Sequence, residues 1–336
     1  SLGTVCDVVP LIGLNRAIVK QGLKVLKTKK NLGLKTLIDI CGINTQPNVY
    51  HMGYVLGPRI NAGGRVGKSS HGANLLINNN AKEVFKIASE LDQFNKERKY
   101  LEEEVLDKIT IEANKTRSDP VIIVSGKNWH EGVIGIVASR LKDKFNKPVI
   151  IITVDNSLGK ASARSIIGFD IGSIIIAATQ EKILIKGGGH KMAGGFTIDV
   201  NNIEKFKEFV LKKYKNSVGN LAKEKSLYLD SIISPAALNL DFFNKIDSLA
   251  PFGSGNPEPK FVIENLKTMN SKVIKNKHIK SVLLGQDGSI IKTIAFNSAG
   301  NEIGAYLLKK DKKLFNIAGK LSLNEWKGQS NVEFII

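Results

Sequence analysis

The chain has 336 residues, of which 42% are hydrophobic and 24% are charged, which excludes wholesale disorder. A chain of this length should divide into two or three domains. Lysine and arginine number 49 against 31 aspartates and glutamates, so the formal net charge is +18. That excess predicts a polyanionic binding partner, and nucleic acid is the first candidate. The alternative is an organism whose proteins are lysine-rich in general, which would show the same excess of positive charge.

The sequence shows no pattern typical of a membrane span, a signal peptide or a disulfide framework. No apolar run approaches the roughly 20 residues that span a bilayer, and we expect neither a signal peptide nor a membrane partner. Cys6 and Cys41 have no metal-ligand spacing and no disulfide pattern around them. We therefore expect a protein of a reducing cytoplasm.

The first residues combine an apolar run with one acid. Residues 1–5 have the pattern of a buried strand with nothing before it, so we expect a fragment of a longer protein. Asp7 follows this run, where a carboxylate is either a metal ligand or a helix cap. Residues 11–27 and 32–40 then show helical spacing.

Residues 56–67 contain two arginines, an asparagine and two adjacent glycines. We predict a loop, because the segment is too rich in glycine for a helix. Arg59 and Arg65 suit bidentate contacts with phosphates, and Asn61 can orient a ligand or a metal-bound water. The alternative is a solvated basic loop, which the apolar neighbours within the segment disfavour.

Residues 81–113 predict one long helix, charged around most of its surface, of the kind that connects domains. A buried strand, a helix at 133–145 and a second buried strand follow, which predicts parallel pairing of the two strands. His130 lies at the N-terminus of that helix, where an anion is favoured. It either faces a binding site or packs with Trp129.

Residues 160–165 alternate small and polar side chains and predict a short strand. Ser162 and Arg164 then lie on one face of it, where a hydroxyl and a guanidinium form a compact grip for a phosphate. No nucleophile elbow surrounds Ser162, which argues against serine catalysis.

Residues 187–195 contain five glycines around one histidine. We predict a glycine-rich turn whose N–H groups cradle an anion, with Gly188 and Gly189 at its centre. His190 can donate to a phosphate or shuttle a proton. The alternative is an ordinary turn beside a histidine that has its own partner.

From residue 227 the pattern changes to five or six short strands separated by glycine turns, which is typical of a small barrel. Lysines and aromatic residues of this region could bind single strands, although each aromatic taken alone is more often part of a core. They are Lys272, Lys275, Lys277, Lys280, Lys292, Lys320, Phe296, Phe315 and Trp326.

These segments, in this order, resemble the DHH phosphoesterase superfamily and, within it, the RecJ family of bacterial single-strand exonucleases. The likeness covers nearly the whole chain. The motifs that carry it are residues 3–11, 57–65, 129–141, 162–165, 188–195 and 251–259.

The resemblance implies an α/β chain with four parts. The end of a DHH catalytic domain is expected at 1–80 and a long connecting helix at 81–117. A DHH-associated domain with a mixed or parallel sheet is expected at 118–216, and an OB-fold β-barrel at 217–336.

The resemblance also implies a 5′-to-3′ exonuclease that uses Mn²⁺ or Mg²⁺ to hydrolyse single-stranded DNA in repair and recombination. Asp7 would be a metal ligand and His190 a catalytic residue. We expect a monomer, with a helicase or a single-strand-binding protein as partners. The expected phosphate contacts are Arg59, Asn61, Arg65, His130, Ser162, Arg164, Gly188, Gly189 and His190.

One departure from the family pattern limits this expectation. The Asp-His-His triplet and the aspartate-rich motifs that hold most metal ligands do not occur in the sequence. A single carboxylate cannot hold two metal ions, so the chain itself should bind single-stranded DNA but cleave it poorly or not at all. The alternatives are a non-catalytic single-strand-binding module, or a DHH phosphodiesterase acting on short oligoribonucleotides.

Overall fold

A computed structural model describes residues 1–217, 226–309, 313–326 and 328–336. The chain divides into two compact units. The first comprises Ser1–Thr28, Gln46–Gly53 and Ser226–Ile336, and the second comprises Lys29–Thr45 and Tyr54–Lys225. Within the described ranges, none of the helices combines the length and the apolar character of a membrane span.

Two helices open the first unit, α1 (Leu2–Cys6) and α2 (Gly13–Lys27). The strand predicted for residues 1–5 is therefore wrong. The Val5 amide donates to the Ser1 carbonyl at 3.1 Å and the Asp7 amide to the Gly3 carbonyl at 2.9 Å, which are helical hydrogen bonds. A short apolar run does not distinguish a strand from a helix, and here local bonds decide.

The second unit begins with four helices. They are α3 (Leu32–Ile40), α4 (Gly57–Val66), α5 (His71–Ile77) and α6 (Ala81–Lys115), and a π-helical turn (His51–Leu56) leads into α4. The loop predicted for 56–67 is wrong, because the segment is α4. Pro58 occupies its first turn, where the missing N–H costs nothing. A Cβ on Gly63 would stand 2.7 Å from the Lys68 carbonyl oxygen, so this glycine permits close packing.

The long helix α6 is confirmed, and it is more than a connector. Its buried residues include apolar side chains that face the core, such as Leu91 and Ile109. They also include four polar or charged residues, Asp92, Asn95, Arg98 and Glu102. Buried charges need partners, so these residues indicate an internal polar network along the helix.

The remainder of the second unit is an α/β structure around a five-stranded sheet in the order β1-β2-β3-β5-β4. The predicted parallel pairing of β1 with β2 is confirmed, and the other pairs are antiparallel, so the sheet is mixed. Its elements are β1 (Ile122–Lys127), α7 (Glu131–Phe145), β2 (Val149–Asp155), β3 (Leu158–Arg164), α8 (Ile171–Gln180), β4 (Lys186–His190), β5 (Ala193–Asp199) and α9 (Ile203–Ser217).

The two faces of this sheet pack against different helices. On one face Ile122 and Ile151 join a core that contains Ile109 of α6 and Val137 of α7. On the other face the strands pack with α8 and α9 in a core that contains Ile150, Ala163, Phe196, Ile175 and Phe206. The alternation of side chains along each strand separates the two cores.

The glycine-rich turn predicted at 187–195 is a β-hairpin, formed by β4 and β5 with Lys191 and Met192 at the turn. Part of its glycine content is explained by packing. A Cβ on Gly187 would lie 2.7 Å from Ile175 Cγ2, and one on Gly194 would lie 2.5 Å from Ile175 Cδ1. These glycines let α8 approach the hairpin closely, a role that local sequence does not reveal.

Gly172, in the first turn of α8, meets the hairpin backbone directly. A Cβ there would stand 2.8 Å from both the carbonyl carbon and the carbonyl oxygen of His190. Because backbone atoms cannot move aside cheaply, Gly172→Ala should lower the free energy of unfolding by about 1–3 kcal/mol, measured by urea denaturation. Gly188→Ala is the control, since nothing lies within 4 Å of its Cβ position. Equal losses in the two variants would contradict the packing account.

The first unit also contains a β-rich part. Its elements are β6 (Ser231–Ile232), α10 (Leu240–Asp247), β7 (Phe261–Ile274), β8 (His278–Leu284), β9 (Ile290–Ala295), α11 (Glu302–Leu308), β10 (Phe315–Trp326) and β11 (Gln329–Ile335). Hydrogen-bonded neighbours run β7-β8-β9-β11-β10, and β10 also pairs with β7. The core between them includes Phe261, Leu283, Ile291 and Phe334.

The strand-rich pattern from residue 227 onwards is confirmed, although β7, with 14 residues, is longer than the short strands predicted. Of the predicted stacking residues, Phe296 is half exposed and contacts His278 edge to face at 5.2 Å. Phe315 instead packs against Tyr306 and the core. The side chain of Trp326 lies outside the described residues.

Candidate nucleic-acid interface

Part of one sheet face in the second unit presents polar and basic side chains in three rows across β3, β5 and β4. This face is continuous with Ile151, which packs under α7, because Ile151 pairs with Ser162. We call it the open face, since β4 is exposed along its whole length. Its rows are Lys160–Thr197–Lys186, Ser162–Gly195–Gly188 and Arg164–Ala193–His190.

Arg164 lies at one end of the open face, half-buried beneath α7. Its Nε donates to Ser139 Oγ at 3.1 Å, and its Nη1 donates to Ser162 Oγ at 3.1 Å and to the Ala163 carbonyl at 2.8 Å. A Cβ on Gly135 would lie 3.0 Å from Arg164 Nη2, so α7 passes directly over the guanidinium. Ser162 and Arg164 therefore share a face, as the strand pattern predicts.

Arg65 reaches the same region from the end of α4, where its Nη1 donates to the Gly132 carbonyl at 2.9 Å. Burial lowers the pKa of Arg65, the nearby Arg98 lowers it further, and Glu102 raises it. Burial also lowers the pKa of Arg164, and the charge of Arg65 adds to that effect. Both side chains stay charged at neutral pH, because the ordinary pKa of an arginine lies far above neutral pH.

Glu102 is a buried acid near Arg65 and Arg98, with 1% of its surface exposed. Its Oε2 accepts from Arg98 Nη1 at 2.6 Å, and Arg140 Nη2 lies 2.5 Å from its Oε1 at an angle that makes no hydrogen bond. Among the residues that the structure describes, ion pairs form at Arg59, Arg98 and Arg140 but at neither Arg65 nor Arg164.

We define the arginine cluster as Arg65, Arg98, Arg140 and Arg164. Arg98 and Arg140 pair with Glu102. Arg65 lies near Arg98 and Glu102, and Arg164 lies near Arg65. The sequence reasoning singled out Arg65 and Arg164 but missed the other members. The spacing of Arg98 and Glu102, four apart on a helix, was the available signal for their pairing. Nothing in the sequence pattern pointed to Arg140 as part of the cluster.

The other predicted phosphate contacts have different surroundings. Arg59 donates from Nε to Asp92 at 2.8 Å and from Nη1 to the Val55 carbonyl, so its donors bind within the protein. Asn61 is exposed on α4. His130 caps α7, because its Nδ1 accepts from the Gly132 amide at 3.1 Å. His190 is exposed in the same row as Arg164.

Asp7, the predicted metal ligand, is exposed at the end of α1 in the first unit. In the described ranges no group of three His, Cys, Asp or Glu side chains is placed to hold a metal ion. A divalent ion takes several oxygen ligands, and one exposed carboxylate does not fit it.

Two family models match the chain. The model of the DHHA1 domain matches residues 118–216, which include the open face, and the model of the RecJ OB domain matches residues 229–336. Both matches agree with the similarity to RecJ proteins along the whole sequence. The chain is a homologue of the RecJ proteins.

Known RecJ proteins are longer than this chain. It is 31% identical over its full length to the single-stranded-DNA-specific exonuclease RecJ of Haemophilus influenzae, of which it covers 60%. It is 30% identical, with a TM-score of 0.83, to RecJ of Thermus thermophilus in complex with Mn²⁺, and the match covers 99% of this chain and 48% of that one. A second structure of the Thermus protein contains Mg²⁺. Across the curated RecJ relatives the chain spans between 43% and 60% of their length.

Proposed function

We propose that this chain is the DNA-binding part of a RecJ-type exonuclease that degrades single-stranded DNA from the 5′ end. One observation carries the proposal. Arg65 and Arg164 are half-buried beside the open face, and they are held by carbonyl and hydroxyl oxygens rather than by carboxylates. Neutral acceptors orient a guanidinium without cancelling its charge.

A phosphate is the anion that this arrangement suits. Arg65 and Arg164 are half-buried and form no ion pair within the described residues, so their positive charge lies in a partly desolvated region and is costly unless an anion compensates it. Arginine forks bind phosphate oxygens in pairs. A DNA phosphate would supply the missing charge and displace counterions from the strand.

The open face would support the strand beside this phosphate. Ser162 and His190 would add donors in the same region, and Asn61 and His130 would lie at the rim. Gly188 has open space at its Cβ position, so a ligand can approach the strand backbone there. Gly189, in the same strand, would contribute through its backbone. Arg59 would act through Asp92, by anchoring α4 and hence Arg65.

In the whole protein we propose metal-dependent phosphodiester hydrolysis with Mn²⁺ or Mg²⁺, serving DNA repair and recombination in the bacterial cytoplasm. His190 would act at the reacting phosphate, and a helicase or a single-strand-binding protein would be a partner of the monomer. Because the described residues do not assemble a metal site, this chain alone should bind DNA without cleaving it. In that respect it would behave as a non-catalytic single-strand-binding module.

The test is a binding and cleavage assay on the unsubstituted chain. Fluorescence anisotropy with single- and double-stranded oligonucleotides at two salt concentrations should show tight, salt-sensitive binding that prefers the single strand. No product should form in the same samples with Mn²⁺. Absence of DNA binding would overturn the proposal, and efficient cleavage would overturn the account of the metal ligands.

A further inference from the structure

The end of the open face away from Arg164 also carries positive charge. Lys160 on β3 and Lys186 on β4 flank Thr197 on β5 in one row of the sheet. A groove of about 600 Å³ opens beside this row, and its lining includes Ile134 of α7 and Ser162. Both lysines are exposed to solvent.

One acid competes for this charge. Glu131, in the first turn of α7, lines the same groove, and its Oε1 lies 2.6 Å from Lys160 Nζ. Both side chains are 58% exposed, so the pair is solvated and weak. A ligand can therefore displace the carboxylate from Lys160 at little cost.

We infer that Lys160, Thr197 and Lys186 form a second phosphate subsite, and that Glu131 weakens it in the free protein. The inference rests on the proposed function, because it places a second phosphate of the same single strand at this row. The class of ligand is a phosphodiester, since two ammonium groups and a hydroxyl face an open groove and the competing group is itself an anion.

The geometry sets the span of such a ligand. Lys160 and Arg164 are on the same face of β3, four residues apart, which separates their rows by about 14 Å at about 3.4 Å per residue. The glycines of the middle row carry no side chain that would block a strand crossing from one row to the other. Because α7 covers Ser162 and Arg164 on β3, the DNA strand would run beside α7, over β5 and β4, and would contact Arg164 and His190 at one end and the two lysines at the other.

The test compares DNA lengths. The double variant Lys160→Gln, Lys186→Gln should lose about threefold to tenfold in affinity for a labelled single-stranded decanucleotide. The slope of log affinity against log salt should fall by about 0.7, the value for one single-strand phosphate contact. A labelled dinucleotide with a 5′-phosphate, too short to reach both rows, should bind the variant and the unsubstituted chain equally.

Replacing Glu131 provides a second test, in which the affinity for the decanucleotide should change in the opposite direction. Glu131→Gln should raise decanucleotide affinity by about twofold to fivefold, because it removes a repelling charge and releases Lys160. Glu204→Gln is the control, since Glu204 is an exposed acid that pairs with Lys207 at 2.7 Å on α9, across the sheet. Glu204→Gln should leave the affinity unchanged.

The possible results separate the two proposals. If the unsubstituted chain binds no single-stranded DNA, the proposed function fails and this inference fails with it. If it binds, and the lysine variant keeps the decanucleotide affinity and salt slope of the unsubstituted chain, only the second subsite is overturned. A gain in Glu204→Gln equal to that in Glu131→Gln would likewise overturn the local role of Glu131.

Discussion

Replacing Arg164 with alanine should weaken single-stranded DNA binding by about tenfold to a hundredfold. The guanidinium is half-buried and oriented by Ser139 and Ser162, so its bond to a phosphate would be a charged hydrogen bond in a poorly solvated site. Such bonds contribute about 1.5–3 kcal/mol, which corresponds to the expected loss. Fluorescence anisotropy with a labelled oligonucleotide at low and moderate salt would measure it.

Two further variants separate a specific contact from a general effect of charge. Arg164→Lys keeps the charge but loses the planar fork, so it should recover only part of the affinity. Lys205→Ala removes one positive charge from α9, on the opposite side of the sheet, and should change affinity by less than about twofold. If Lys205→Ala weakens binding as much as Arg164→Ala, net charge rather than the arginine cluster determines binding.

Replacing Glu102 with alanine should lower the free energy of unfolding by about 3–5 kcal/mol. Arg98 is 9% exposed and Glu102 is its carboxylate partner, so the variant leaves a buried guanidinium without a counter-charge. Asn95 would still accept from Arg98, but an amide does not neutralise a charge. Urea denaturation followed by circular dichroism would give the difference.

A control on the same helix tests the role of burial. Glu104 pairs with Lys108 at 2.6 Å, but the pair is exposed, so Glu104→Ala should cost less than about 1 kcal/mol. The double variant Arg98→Met, Glu102→Leu removes both charges and should restore most of the stability lost in Glu102→Ala. A double variant as unstable as the single one would show that lost packing, and not the unpaired charge, is responsible.

The elements that the sequence predicted well are those with a long, regular pattern. Helix α6 was predicted because apolar residues recur at helical spacing over many turns. The β1-α7-β2 unit was predicted because two apolar runs flank an amphipathic helix. In each case the local pattern and the tertiary contacts agree. In the two glycine-rich segments, residues 56–67 and 187–195, the local pattern and the observed elements disagree.

Both glycine-rich segments were misread for one physical reason. Gly63 in α4 and Gly187 in β4 occupy places where another part of the chain comes too close for a Cβ. The same residue type serves loops, close packing and backbone exposure to ligands, and local sequence does not distinguish among these uses. Only the position of the neighbouring element shows which use applies.

Motif order and strand alternation are local properties, so the resemblance to the RecJ family, the α/β character and the strand face that carries Ser162 and Arg164 could be predicted from the sequence. Which arginines keep their charge available depends on tertiary contacts. Arg59 and Arg65 are six residues apart in one helix, yet Arg59 is neutralised by Asp92 whereas Arg65 binds a carbonyl oxygen. The difference arises from acids and carbonyls far away in sequence, because the charge environment of a side chain depends on what packs beside it.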